Sequence, residues 1–162
     1  MRTSARSKGL SWATAALVSI GLAGCGSTTD PTGPTNGSLT AKIDGSSWSA
    51  ATIAVTYASG ILAIAGTDAG GRTVGFGLGP VSAPGTFPSG PTSPTNASLQ
   101  IISGSTAQAW QAAQTLGSGT VTVTAISATH AAGTFQFVVV PVAGTGATGN
   151  KAITQGAFDV TF

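Results

Sequence analysis

The chain has 162 residues, a formal net charge of +2 and only 6% charged residues, with one cysteine, Cys25, one histidine, His130, and no glutamate. A lone cysteine excludes a disulfide framework within the chain and a thiolate metal cluster. Three of the six basic residues fall within the first eight positions, so the remainder lacks the positive footprint that a phosphate backbone requires, and no nucleic acid is expected as a partner.

Arg2, Arg6 and Lys8 precede an apolar run from Gly9 to Gly24, interrupted only by small polar residues such as Ser11 and Ser19. This is the layout of a secretory signal peptide over residues 1–24. The run is 16 residues long, whereas a helix needs about 20 to span a bilayer, so cleavage is expected rather than retention as a membrane span. Small residues crowd its end, where a protease must accept extended backbone near the membrane surface. Leu22-Ala23-Gly24-Cys25 resembles, at all four positions, the lipobox of bacterial lipoproteins. The resemblance implies that Cys25 carries a diacylglyceryl thioether, that the chain is cut just before it, and that the freed amine is a further acylation point, palmitate being the expected class of chain. Each buried CH₂ adds about 0.8 kcal/mol of membrane affinity, so two or three acyl chains hold firmly where one does not. The expected location is the bacterial cell envelope. Gly26 stands where some bacteria use aspartate to retain lipoproteins at the inner membrane, which favours the outer membrane.

After removal of residues 1–24 the chain has three basic residues, Lys42, Arg72 and Lys151, against Asp30, Asp44, Asp68 and Asp159, a net charge of −1. Residues 25–37 comprise Cys25 and a Gly, Pro, Thr and Ser tether without an apolar anchor to offset the entropy of ordering. Residues 38–162 are enough for one domain with its own core. With so few charges its solvent face must be Thr, Ser, Gln and Asn, and a net charge near zero favours association.

The domain reads as all-β, a single antiparallel meander of about eight or nine strands closed into a barrel or folded into a sandwich. Strands are expected at 38–43, 51–58, 61–67, 72–78, 97–103 and 107–113, with turn signals at Asp44-Gly45, Ser59-Gly60 and Ala69-Gly70-Gly71. Trp48, just after the first turn, is expected to plug the core. The segment 107–113, AQAWQAA, also has helix-forming residues. Residues 80–96 hold five of the eight prolines and read as a long loop whose Phe87 plugs the end of the barrel. Alternation of period two then places Val121, Val123 and Ala125 on the inner face opposite Thr120, Thr122 and Thr124. Phe135, Phe137 and Val139 follow in the same way, as do Phe158, Val160 and Phe162.

GTGATG, residues 144–149, matches the letters of a dinucleotide fingerprint, but only 13 residues follow Gly149, too few for the helix and strand that such a site needs. A glycine-rich hairpin loop is expected there, and no cofactor. A metal site would need a cluster of ligands, and one histidine is not a cluster. Catalysis by a Ser-His-Asp arrangement would require His130 to meet an aspartate and a serine that no spacing nominates, and Asp44 and Asp68 sit where turns favour Asp. The chain is therefore read as no enzyme, and an envelope hydrolase using His130 is the weaker alternative. An outer-membrane barrel is a second one, raised by the alternating strand ending in Phe162. Such barrels need strands of about 9–11 residues and two aromatic girdles, and only Trp48, Tyr57 and Trp110 supply Trp or Tyr after the signal.

The lipobox, the tether, AKIDGSSWSA at 41–50, GTVTVTAISATHAAGTFQFVV at 119–139 and GAFDVTF at 156–162 together resemble a family of small bacterial envelope lipoproteins with no assigned activity. The resemblance is best over 38–68 and 117–162 and implies an envelope location and an all-β domain. The reading is a lipid-anchored envelope protein whose partners are the membrane, through Cys25, and an envelope protein or a small apolar ligand. In the carrier version, Val121, Val123, Phe135 and Phe137 line an apolar lumen.

Overall fold

The computed structural model describes residues 36–90 and 93–162; the expected signal peptide, Cys25 and most of the expected tether lie outside the described residues. These residues form eleven antiparallel strands and no helix. In chain order they are β1 (Gly37–Ile43), β2 (Ser46–Ser49), β3 (Thr52–Ala58), β4 (Ile61–Thr67), β5 (Arg72–Leu78) and β6 (Gly85–Ser89), followed by β7 (Asn96–Ser103), β8 (Thr106–Ala113), β9 (Ser118–Ile126), β10 (His130–Pro141) and β11 (Lys151–Thr161). The all-β antiparallel fold is the expected one. Two short strands are added to the nine that periodicity indicates. β2 is too short for its alternation to show, and β6 is disguised by the prolines around it. AQAWQAA is strand β8, whose Ala97-to-Ala112 and Leu99-to-Trp110 pairings with β7 outweigh its helix propensity.

Hydrogen bonding runs in the order β2-β1-β11-β10-β8-β7-β5-β4-β3, with β9 added to β10 and β6 to β9. The two ends of this order, β2 and β3, are consecutive in the chain. Between them the Ala50 N–H donates to the Leu39 carbonyl on β1 and the Ala51 N–H to the Thr67 carbonyl on β4, so one bent segment joins the ends of a curled sheet. The other corner is β10. Its residues 131–138 pair with β9, and Val140 and Pro141 pair with Gln111 and Trp110 of β8.

Tight turns require particular residues. Asp44-Gly45 and Ser59-Gly60 all have positive φ, as two-residue hairpin turns matching the twist of the strands require. The glycine-rich segment 144–149 is the β10–β11 connection, as expected, and Trp110 Nε1 donates to the Gly149 carbonyl at 2.8 Å.

The inner faces meet in an aromatic cluster. The Phe76 ring lies 4.8 Å from that of Phe135, 5.5 Å from Phe158 and 6.1 Å from Phe137, centroid to centroid. Three of these rings lie over a glycine directly across the ladder: Phe158 over Gly133, Phe135 over Gly156 and Phe137 over Gly119. A glycine leaves the space a ring needs to lie flat against the neighbouring backbone. Trp48 is buried, as expected, and its Nε1 donates to the Arg72 carbonyl at 3.2 Å. Val121, Val123, Phe135 and Phe137 all point inward and are buried, and the rings fill the interior between the curled faces.

Two local expectations change. Phe87 does not plug an end: it lies half-buried on β6, in register with Val121 of β9, because the proline-rich segment finds a ladder partner on one side. The inward phase of β9 also breaks after Val123. A bulge opposite Ala132 and Gly133 leaves Ala125 half-buried and turns Ile126 toward the core beside Ala131. On the opposite face Thr86, Thr122, Thr134, Ala157, Thr40 and Ser49 form a row in register across six strands, the uncharged polar surface that the composition demands.

Candidate functional site

Cys25, expected as an acylation site from the resemblance of Leu22-Ala23-Gly24-Cys25 to a lipobox, lies outside the described residues. The structure does bring together the charged residues that the sequence leaves unassigned. His130 opens β10 and Asp159 lies near the end of β11; Nε2 of His130 and Oδ1 of Asp159 are 2.9 Å apart on the surface. Ser127, three residues before it, directs its hydroxyl to the His130 backbone carbonyl at 3.5 Å. The ring thus meets a carboxylate, and among the described residues no serine hydroxyl is hydrogen-bonded to it.

Asp44 and Asp68 both serve turns. The Asp44 carboxylate accepts from Lys151 Nζ at 2.8 Å and from the Ala152 N–H at 2.9 Å, closing the β1–β2 turn onto β11. The Lys151 hydrogen bond, followed by that of Ala152, holds its carboxyl below the ordinary value of 3.8. Asp68 is the more enclosed of the two, its side chain 9% exposed. It accepts from the Gly70 and Arg72 N–H groups at 2.9 and 2.8 Å and from Arg72 Nε at 2.7 Å, organising the β4–β5 turn. Burial raises its pKa and is the largest single influence, but the Arg72 hydrogen bonds and charge, with the Gly70 bond, outweigh it and leave the carboxyl below its ordinary value.

A depressed carboxyl contributes stability that is fully present above the unfolded-state pKa and lost as pH falls through the folded-state pKa. Thermal melts should therefore show a midpoint that holds from neutrality down to about pH 5 and falls below about pH 4. Asp68→Asn should lower stability at neutral pH by about 1–3 kcal/mol, because Arg72 Nε loses its ionised acceptor while the Gly70 and Arg72 N–H groups, which share Oδ1, keep only a neutral amide oxygen. The same variant should flatten the acid limb; an acid limb as steep as that of the unchanged chain would contradict the role given to Asp68.

A concavity of about 840 Å³ lies on the outer side of β3, β4, β5 and β7. Its floor is Ala54, Thr56, Ala63, Ala65, Gly75 and Gly77, with Asn96 and Ser98 along one side and Ile61, Pro80 and Pro94 at one end. It forms because the outward positions of adjacent strands all carry very small side chains, while the inward positions of the same strands carry Leu62, Ile64, Val74 and Phe76. None of the lining residues is ionisable, and Ile61 is 58% exposed at the rim. Three other concavities, about 390, 390 and 270 Å³, lie over the threonine-rich sheet and its edge. The large one is suited chemically to an uncharged, partly apolar occupant held by van der Waals contact and a few amide or hydroxyl hydrogen bonds. Alternating Ala and Gly at outward positions of β4 and β5 is its sequence signal, visible only once the strands are known to be neighbours.

Among the described residues no group of three or more His, Cys, Asp or Glu side chains converges on a point where a metal ion would sit. No curated protein and no solved structure matches the chain. A family model does match, over residues 35–160, a span that takes in every strand except the last residue of β11. The chain therefore belongs to the family described as Domain of unknown function (DUF6252).

Proposed function

We propose that the protein is a lipid-anchored component of the bacterial cell envelope, with Cys25 as the acylated first residue of the mature chain. In this reading a short tether holds the β domain out from the membrane for binding or structural work. The observation that carries the reading is Leu22-Ala23-Gly24-Cys25 placed directly after a basic segment and a 16-residue apolar run. The spacing supports it: β1 begins at Gly37, leaving residues 26–36 between the anchor and the folded domain. Gly26, standing where a retaining aspartate would hold the protein at the inner membrane, favours the outer membrane, and the uncharged concavity on β3, β4, β5 and β7 gives the domain a surface for a neutral envelope partner. No enzymatic step is assigned.

Cys25→Ala should abolish incorporation of labelled palmitate and transfer the protein from the membrane pellet to the soluble fraction. Mass spectrometry of the unchanged chain should find a mature form beginning at Cys25 with the added mass of a diacylglyceryl group. A variant that stays membrane-bound at an unchanged mass would overturn the proposal.

A further inference from the structure

Among the described residues four that are not glycine have positive φ, and three of them, Asp44, Ser59 and Gln114, lie in connections between strands. The fourth, Gln155 at φ 50°, lies inside β11. There β11 carries an extra residue: three steps from Gly156 to Ile153 stand against two on β10, and three from Ala157 to Thr154 against two on β1. Glycine is the residue that takes a left-handed position in a bulge without strain. Gly156, next door, is already accounted for by the Phe135 ring that lies over it. Glutamine at 155 therefore keeps the strain and adds one thing that glycine lacks, a side-chain amide held out on the exposed face.

That amide stands between two hollows of about 390 Å³ each, and Gln155 lines both. Thr120, Thr122, Thr134 and Gln136 bound the first, over Gly156 and Ala157. Thr40, Lys42, Ser47 and Ser49 bound the second, over Ala41 and Trp48. The hollows meet at Gln155 as one cleft across β9, β10, β11, β1 and β2. The described chain begins at the opposite end of β1 from Lys42, where Asn36 lies against Ile53 and Thr161. The polar side chains of the cleft are hydroxyls, primary amides and the Lys42 ammonium, and no carboxylate lines it. Hydroxyls and amides both donate and accept, which suits a ligand whose own groups do the same. An acyl chain would leave them without partners. Neighbouring strands lie about 4.8 Å apart, close to the advance of one sugar ring along an extended chain, so the four intervals from β9 to β2 take about four rings. The single ammonium is complementary to a carboxylate at the β1–β2 end.

We infer that this cleft binds a glycan chain bearing carboxylates, a uronate oligosaccharide in chemical class, laid across the strands. The Gln155 amide hydrogen-bonds between two rings, and Lys42 pairs with a carboxylate of the chain. The two residues divide the recognition: Gln155 serves any ring with hydroxyls beside it, and Lys42 selects for the acid. Binding here is independent of acylation at Cys25, so loss of the glycan and loss of the anchor are read by separate experiments.

Isothermal titration of the purified full chain, in a sugar-free detergent, with tetragalacturonate, tetraglucuronate and the methyl ester of each tests this directly. A uronate should bind about tenfold tighter than its methyl ester, as expected for one charge-assisted hydrogen bond, and Lys42→Met should erase that difference. Gln155→Gly should weaken uronate and ester alike by about tenfold. Its thermal midpoint should be no lower than that of the unchanged chain, because glycine relieves the left-handed position. Two uronates that fail to bind, or that bind no tighter than their esters, would overturn the inference. So would a Gln155→Gly chain that binds undiminished, or one that melts lower, which would make the glutamine a structural residue of the bulge.

Discussion

Phe76→Ala should lower the unfolding free energy by about 4 kcal/mol, within the range seen when a buried phenylalanine is truncated to alanine. Phe76 is 3% exposed and is the one ring of β5 that reaches Phe135, Phe137 and Phe158 on β10 and β11. Removing it takes away the transfer energy of the ring and its tilted aromatic contacts, which contribute about 0.5–1.5 kcal/mol each beyond area. It also leaves a void that three phenylalanines, each set over a glycine, have little freedom to fill. A domain of this size has a total stability of about 5–15 kcal/mol, so the variant should melt about 15 °C lower in a calorimeter or by circular dichroism. A shift of only a few degrees would mean that the two curled faces are not held together by this cluster.

Gly133→Ala should cost about 3 kcal/mol or more although it adds one methyl group. The position is inward-facing, in register with Phe158 on one side and Val123 on the other. A Cβ there would overlap the Thr122 carbonyl oxygen and lie 2.8 Å from Cζ of Phe158. The carbonyl belongs to the β9–β10 ladder and cannot give way without loss of pairing, and the ring cannot retreat because Phe76 packs against it. The expected result is a clear loss in denaturant midpoint with an unchanged slope. Gly45→Ala provides the comparison: a Cβ there meets nothing within 4 Å, so its cost comes from positive φ alone and should be about 1 kcal/mol.

These two positions show how much of the fold was legible beforehand. The alternation of Phe135, Phe137 and Val139 assigns β10 and its inner face correctly, because a half-buried strand must alternate and nothing else in the segment competes. The same rule fails at Ala125, where one inserted residue in the ladder with β10 reverses the phase; that insertion depends on the partner strand and leaves no mark in GTVTVTAIS itself. Phe87 is misplaced for a related reason. A proline-rich stretch reads as loop until a neighbour supplies one-sided pairing, and β9 lies more than thirty residues away.

The charged residues divide in the same way. Asp44 and Asp68 are readable as turn residues from Asp-Gly and Asp-x-Gly-Gly alone, because the turn is a local event. Their partners are not equally readable: Arg72 is four residues from Asp68, but Lys151 reaches Asp44 only because β1 and β11 are neighbours. His130 and Asp159 meet for the same reason, across the β10–β11 ladder.

The sequence by itself determined the features that a short stretch of chain can specify. These are turns dictated by Asp-Gly and Ser-Gly, and strands whose period-two pattern leaves a solvent face of threonine; the signal and lipobox proposed for residues 1–25 are likewise read as linear peptide. Register, the curled closure through Ala50 and Ala51, the glycines beneath the phenylalanine rings and the concavity over Ala63 and Gly75 were decided only by tertiary structure. Each of these depends on which strand lies beside which, and strand order follows from burying every inward side chain at once, a condition that no single segment carries.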